Sequence, residues 1–228
     1  MPNKTENAQA CIQAVEKCLA DRFVLIGGAA LQLLGSTRGT NDVDILVSPR
    51  EDISSLLSLL TDQHGFSNIG GELRFGDGES VTIDILTTAV ESVTLENLRH
   101  NLLSVGRIRI PSFDYSLAMK IKCFYLRQDD ENGQMKRQSD AFDVEFLCHR
   151  MALDAQTISD QCAEKFQFGF YHILELRQEL SDRVVGDFIS IGGRKLIQPW
   201  ERNSPEQRGY FECFAEAGAD PLSIKLEQ

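Results

Sequence analysis

The sequence predicts an α/β (α+β) fold: a small mixed sheet flanked by helices, followed by a mainly helical C-terminal half. Three observations carry this. Strand-length runs at 23–26, 42–47 and 81–86 alternate with helix-period segments in the first part of the chain. Pro111 interrupts that pattern. Beyond it, apolar residues recur mostly at helical spacing. The expected division is therefore a core domain over 1–110 and a helical domain over 111–228.

Taken in order, Ile12, Val15 and Leu19 share one face of an expected helix over 5–20. Phe23-Val24-Leu25-Ile26 reads as a buried strand that ends in the tight turn Gly27-Gly28, with a short helix over 29–34 stopped by Gly35. A polar loop over 36–41 precedes the strand 42–47. Ser48 and Glu51 have the spacing of a capping box, and Pro49 suits a first helical position, which predicts a helix running on through Ile53, Leu56, Leu57 and Leu60. Strands at 73–75 and 81–86 flank Gly76-Asp77-Gly78, a hairpin signal. A helix near 94–103 and a strand near 105–110 complete the first half. The second half predicts helices at 114–127, 139–150, 156–166 and 168–182, with a polar loop over 127–139. The tail after Gly192 has too little periodicity for any assignment.

The chain has 228 residues, enough for a sizeable core, and its 42% hydrophobic and 25% charged content is that of a soluble protein. With 34 acidic against 23 basic residues the net charge is -11, which disfavours a nucleic-acid partner and suits small substrates, cationic acceptors or a protein partner. The six cysteines follow no metal-knuckle spacing and read as buried free thiols. The polar stretch 1–10 is no signal core, and no apolar run has membrane-spanning length, so the expected compartment is the cytoplasm and no membrane partner is expected. His64, His100, His149 and His172 show no ligand spacing and read as structural. Phe166, Phe168, Phe170 and Tyr171 read as core, and Trp200 with Tyr210 and Phe211 as tail packing.

The chemistry concentrates in Gly27-Gly28, a spacer, and Asp42-Val43-Asp44. Strand side chains alternate faces, so Asp42 and Asp44 project together while Val43, Ile45 and Val47 anchor the opposite face. Two carboxylates side by side repel unless a cation neutralises them, and Mg²⁺ or Mn²⁺ takes such oxygen ligands. Asp84 is a lone carboxylate in the apolar strand 81–86, where burial calls for a partner or a metal. Beside Asp42 and Asp44 it would complete a metal site or deprotonate an acceptor hydroxyl. The diglycine lets backbone N–H groups approach a phosphate, and Ser36, Arg38 and Thr40 lie between it and the carboxylates, Arg38 to offset phosphate charge and Thr40 to hydrogen-bond near the metal.

This pattern resembles the polymerase-beta-like nucleotidyltransferase superfamily. The form Arg38-x-Thr40-x-Asp42-Val43-Asp44 is most similar to the AbiEii-like and MenT-type nucleotidyltransferases. So is the second half, with Lys120 on a helix and then Lys136-Arg137-Gln138-Ser139-Asp140-Ala141-Phe142-Asp143, although Gln138-Ser139 displaces the basic residues from Asp140. The resemblance covers about residues 20–150. It implies a metal-dependent enzyme that uses a nucleoside triphosphate such as ATP, moves its monophosphate to a small molecule or protein and releases pyrophosphate. It also implies that Lys120 contacts the triphosphate, with Lys122 as the fallback, and that Asp140 supports catalysis. Transfer to tRNA or another RNA, and a nucleotide-binding module without catalysis, are the alternatives. The sequence names neither the base nor the acceptor.

Overall fold

The computed structural model describes residues 4–76 and 79–202. They form two compact units, one ending at Ser112 and the other beginning at Phe113.

The first unit starts with α1 (Lys4–Leu19), which buries Ala8, Cys11, Ile12, Val15 and Leu19 along one stripe. β1 (Phe23–Ile26) is buried at all four positions and runs directly into α2 (Gly27–Leu33). β2 (Asp42–Val47) and α3 (Ile53–Thr61) follow, then β3 (Phe66–Ile69), β4 (Glu72–Phe75) and β5 (Val81–Leu86). A short α4 (Leu95–Leu98) leads to β6 (Leu102–Val105) and β7 (Ile108–Pro111). Strands β1 to β5 form one mixed sheet in the order β1-β2-β5-β4-β3, and β6 pairs with β7. β2 and β5 are parallel; the other pairs are antiparallel. A parallel pair needs a crossover, supplied here by α3, β3 and β4.

The register follows from alternation. Val43, Ile45 and Val47 are fully buried, as is Val81, with Ile83 nearly so, and these residues pack with the α1 stripe and with Leu56 and Leu60 of α3. Burying each such side chain is worth about 1.5–3 kcal/mol. A one-residue slip of β2 would put Asp42 and Asp44 in that core, so the burial pattern holds the carboxylates on the opposite face.

In the second unit, α5 (Phe113–Leu126) packs along α6 (Glu131–Leu153), followed by α7 (Asp160–Lys165), α8 (Phe170–Arg177) and α9 (Asp182–Ser190). The buried Asp114 carboxylate accepts from the Ser159 hydroxyl at 2.6 Å, and Ser159 in turn caps α7. Among the described residues no helix is long and apolar enough to cross a membrane.

Several expectations are corrected. The helix after β2 starts at Ile53, not at Pro49: Asp52 accepts from the N–H groups of Ser54 and Ser55, while Ser48 donates to Glu96 and Glu51 pairs with Arg22. Two candidate caps compete there, and the one adjoining the apolar periodicity wins. The helix expected over 94–103 stops at Leu98, because Leu102 to Val105 pairs with Ile108 to Pro111 across Gly106. β3 carried no clear alternation and was not anticipated. The loop expected over 127–139 is largely helix, since Asp130 caps α6 at Gly133. The span 168–182 divides into α8 and the start of α9. Asp77, Gly78, Tyr210 and Phe211 lie outside the described residues. Phe166 and Phe168 are core, but Tyr171 and Trp200 are 74% and 73% exposed, against the packing roles expected of them.

Candidate active site

Asp42 and Asp44 stand on the non-core face of β2, both partly exposed. The parallel ladder pairs Asp44 with Asp84 and Asp42 with Thr82, so Asp84 shares their face on the neighbouring strand. Asp84 is exposed, which removes the burial argument for it; what remains is three like charges on adjoining strands of one sheet face. Like charges directly opposite are destabilising.

β1 ends against this face, with Ile26 opposite Asp44. The chain then turns at Gly27 with φ of +71°, and the Asp44 carboxylate lies where a Cβ would sit. At Gly28 a Cβ would meet Arg38 Nη2 at 2.5 Å and Thr40 Oγ1 at 3.1 Å. The two glycines therefore keep open the space between the first turn of α2 and the side chains of Arg38, Thr40 and Asp44. α2 is seven residues long, so its backbone offers close N–H groups more than a strong macrodipole.

The loop between α2 and β2 is tied down. The Ser36 hydroxyl accepts from Arg38 N at 3.4 Å, and Arg38 Nη1 donates to the Gly39 carbonyl at 3.2 Å. Gln32 Nε2 donates to the Arg38 carbonyl at 2.9 Å. Nothing in the sequence singled out Gln32, because a glutamine on a short helix has no distinctive signal. Thr40 is 4% exposed, and its hydroxyl donates to Asp42 Oδ1 at 2.6 Å. That bond orients one carboxylate of the pair.

Among the described residues no three His, Cys, Asp or Glu side chains converge into a metal-binding group. The chemistry of the donors still fits a hard divalent cation, because Mg²⁺ is commonly held by one or two carboxylates with substrate phosphates and water completing its shell. Asp42 and Asp44 supply such a pair.

Lys120 and Asp140 belong to the second unit and meet there. Lys120 Nζ lies 3.2 Å from Asp140 and 2.8 Å from Asp143, and Arg127 Nε lies 2.8 Å from the second oxygen of Asp140. Both aspartates are 1% exposed and Lys120 is 12% exposed. Burial alone would lower the Lys120 ammonium, but the charges of Asp143 and Asp140 outweigh it and hold the group above its ordinary value. Neither aspartate sits at a helix start; both lie within α6, bound to the cation on α5. Lys122, the fallback, lies on the same helix α5.

None of the described cysteines is in a disulfide; Cys11, Cys148 and Cys162 are buried as expected, Cys18 and Cys123 are only partly buried, and Cys213 lies outside the described residues. Burial pushes the Cys11 thiol up to about 12, as an inert core group requires. The His149 ring lies beside Asp187 at 3.2 Å, and the His172 carbonyl accepts from Tyr125, which are local packing contacts.

No family model and no curated protein matches this chain. Among solved structures it is similar to an antigenic nucleotidyltransferase-like protein from Paracoccidioides brasiliensis, at 15% identity and a TM-score of 0.52, over 81% of this chain and 95% of that one. It is also similar to a candidate nucleotidyltransferase from H. pylori at 17% identity and a TM-score of 0.49, over 96% of this chain and 95% of the other. The fold is thus nucleotidyltransferase-like.

Proposed function

We propose that the protein is a metal-dependent nucleotidyltransferase that moves a nucleoside monophosphate from a nucleoside triphosphate to an acceptor, a small molecule or a protein, and releases pyrophosphate. One observation carries the reading. The β2–β5 register sets Asp42, Asp44 and Asp84 on one sheet face, with the Asp44 carboxylate seated against Gly27. Like charges on adjoining strands repel one another, and a cation with phosphates would offset that repulsion.

In this reading Asp42 and Asp44 hold Mg²⁺ or Mn²⁺, which when bound offsets phosphate charge. Thr40 fixes the Asp42 carboxylate. The Arg38 guanidinium beside Gly28 and the backbone N–H groups of the diglycine bind the triphosphate, and Ser36 and Gln32 shape the loop that presents Arg38. Asp84 takes the proton from the acceptor hydroxyl as its oxygen bonds to the α-phosphorus, and the bond to pyrophosphate breaks with its electron pair leaving on pyrophosphate. The Arg38-x-Thr40-x-Asp42-Val43-Asp44 form supports placement near the AbiEii-like and MenT-type enzymes. The triphosphate contact of Lys120 and the supporting role of Asp140 enter as the resemblance implies; their geometry supports a scaffolding ion cluster.

A second reading, a nucleotide-binding module without catalysis, draws on the lack of a three-carboxylate metal group among the described residues. Calorimetry with each nucleoside triphosphate, with and without Mg²⁺, on wild type and Asp42→Asn/Asp44→Asn tests the proposal. Binding that needs Mg²⁺ and vanishes in the variant is expected. Triphosphate binding that is indifferent to both would overturn it. Binding with no labelled monophosphate transferred to any acceptor in a broad screen would favour the second reading.

A further inference from the structure

Among the described residues the longest helix is α6, and it has two distinct faces. One carries Asp140, Val144, Leu147 and Met151, all buried within the second unit. At roughly 100° per residue, the opposite face carries Met135, Ser139, Phe142, Phe146, His149 and Leu153. Their spacing alternates between four and three residues, the repeat that seats one helix along another in a coiled coil. Met135, Phe142 and Leu153 are exposed, and Phe146 is half-buried. His149 keeps 38% of its side chain exposed beside Asp187 of α9, so α9 leaves the stripe open. Single exposed apolar residues are ordinary; a row of them along one helix marks an interaction surface.

We propose that this stripe is an interface between two copies of the chain, with the two α6 helices parallel and in register. The flanking charges choose this occupant. Glu131 and Glu145 border the stripe on one side, Lys136 and Arg150 border it on the other, and all four are exposed. In a parallel pair in register, the repeat sets Glu131 against Lys136 of the second copy and Glu145 against its Arg150. Two-fold symmetry makes each of these contacts twice. An antiparallel pair would bring each border against itself, acid on acid and base on base. Arg150 already meets Asp154 at 2.7 Å, an exposed contact that water screens and that leaves further guanidinium N–H groups to reach across. Ser139 and His149 are polar positions in the seam, which weakens it and makes the pairing reversible. None of the six seam residues belongs to the proposed active site, so the interface stands apart from the nucleotidyl-transfer reading.

Sedimentation velocity on the full chain over a concentration series reads the association. Wild type is expected to shift from monomer to dimer as concentration rises, and Phe142→Glu to stay monomeric while keeping its helical circular-dichroism spectrum. Glu145→Arg and Arg150→Glu should each weaken dimerisation roughly fivefold or more, because like charges then face each other twice. An equimolar mixture of these two variants should recover it, since every border charge then meets its opposite; mixing repairs no folding defect. Ser139→Cys sits at a seam position that faces itself only when the helices are parallel and in register. It should give a disulfide-linked dimer under mild oxidant where wild type gives none. A wild type that stays monomeric, a dimer indifferent to Phe142→Glu, a mixture no stronger than its components, or a dimer that Ser139→Cys fails to cross-link would overturn the assignment. A monomer that dimerises only once residues 203–228 are removed would overturn it too, and would make that segment the occupant of the stripe.

Discussion

At Gly27 two requirements coincide: a left-handed φ of +71°, and no space for a Cβ beside the Asp44 carboxylate. Gly27→Ala should cost about 1–2 kcal/mol from backbone conformation alone. It should also displace the carboxylate and weaken Mg²⁺-dependent triphosphate binding by about tenfold or more, the effect of losing about 1.4 kcal/mol of binding. Gly106 is the control, with a comparable φ of +62° and nothing within 4 Å. Gly106→Ala should lower the melting temperature and leave triphosphate affinity unchanged. If both variants lose affinity equally, strain and not carboxylate placement is responsible. Thr40 offers a gentler probe of the same face. Thr40→Val removes the donor to Asp42 Oδ1 from a buried position and should weaken metal-dependent binding, whereas Thr40→Ser should retain it. Calorimetry on the pair reads the difference directly.

Among the elements, β2 and its two carboxylates are readable from sequence because alternation is a local signal, and the structure places core and polar positions where alternation demands. The pairing of Asp44 with Asp84 is not readable, since it depends on a parallel register across three intervening elements. Nor is the α5–α6 ion cluster. Asp140 and Asp143 look like helix-start residues only if α6 begins near Ser139; Asp130 caps it earlier, and the spacing of the aspartates then turns both toward Lys120. The cluster makes its own prediction. Lys120→Met leaves two carboxylates that are 1% exposed with only Arg127 to offset them, at a cost of about 3–5 kcal/mol. Because the folded-state value of Lys120 is raised, the stabilisation from its charge is complete below the ordinary lysine range and is lost as pH rises through the raised value. Denaturant melts of wild type and Lys120→Met should differ by a constant amount near neutrality and converge only in strong alkali. An undiminished stability with lost triphosphate affinity would instead assign Lys120 to the ligand.

For the molecule, the division after Ser112 has an energetic counterpart. One buried cluster runs from Ala8 through β1, β2, β4 and β5 to Ile110, and the residues packed against it lie in the same unit. Hydrophobic stabilisation scales with apolar area removed from water, so a unit that buries its own core has the means to fold by itself. Arg109, at the end of that unit, donates to the carbonyls of Asp21 and Phe23, which ties β7 to the entry of β1. The fragment 1–112 should therefore be expressed as a folded domain with a cooperative urea transition and dispersed methyl resonances. A fragment with no cooperative transition would mean that the first unit draws on the second for its stability. A triphosphate titration of the folded fragment would then measure how much affinity needs residues beyond Ser112, Lys120 among them.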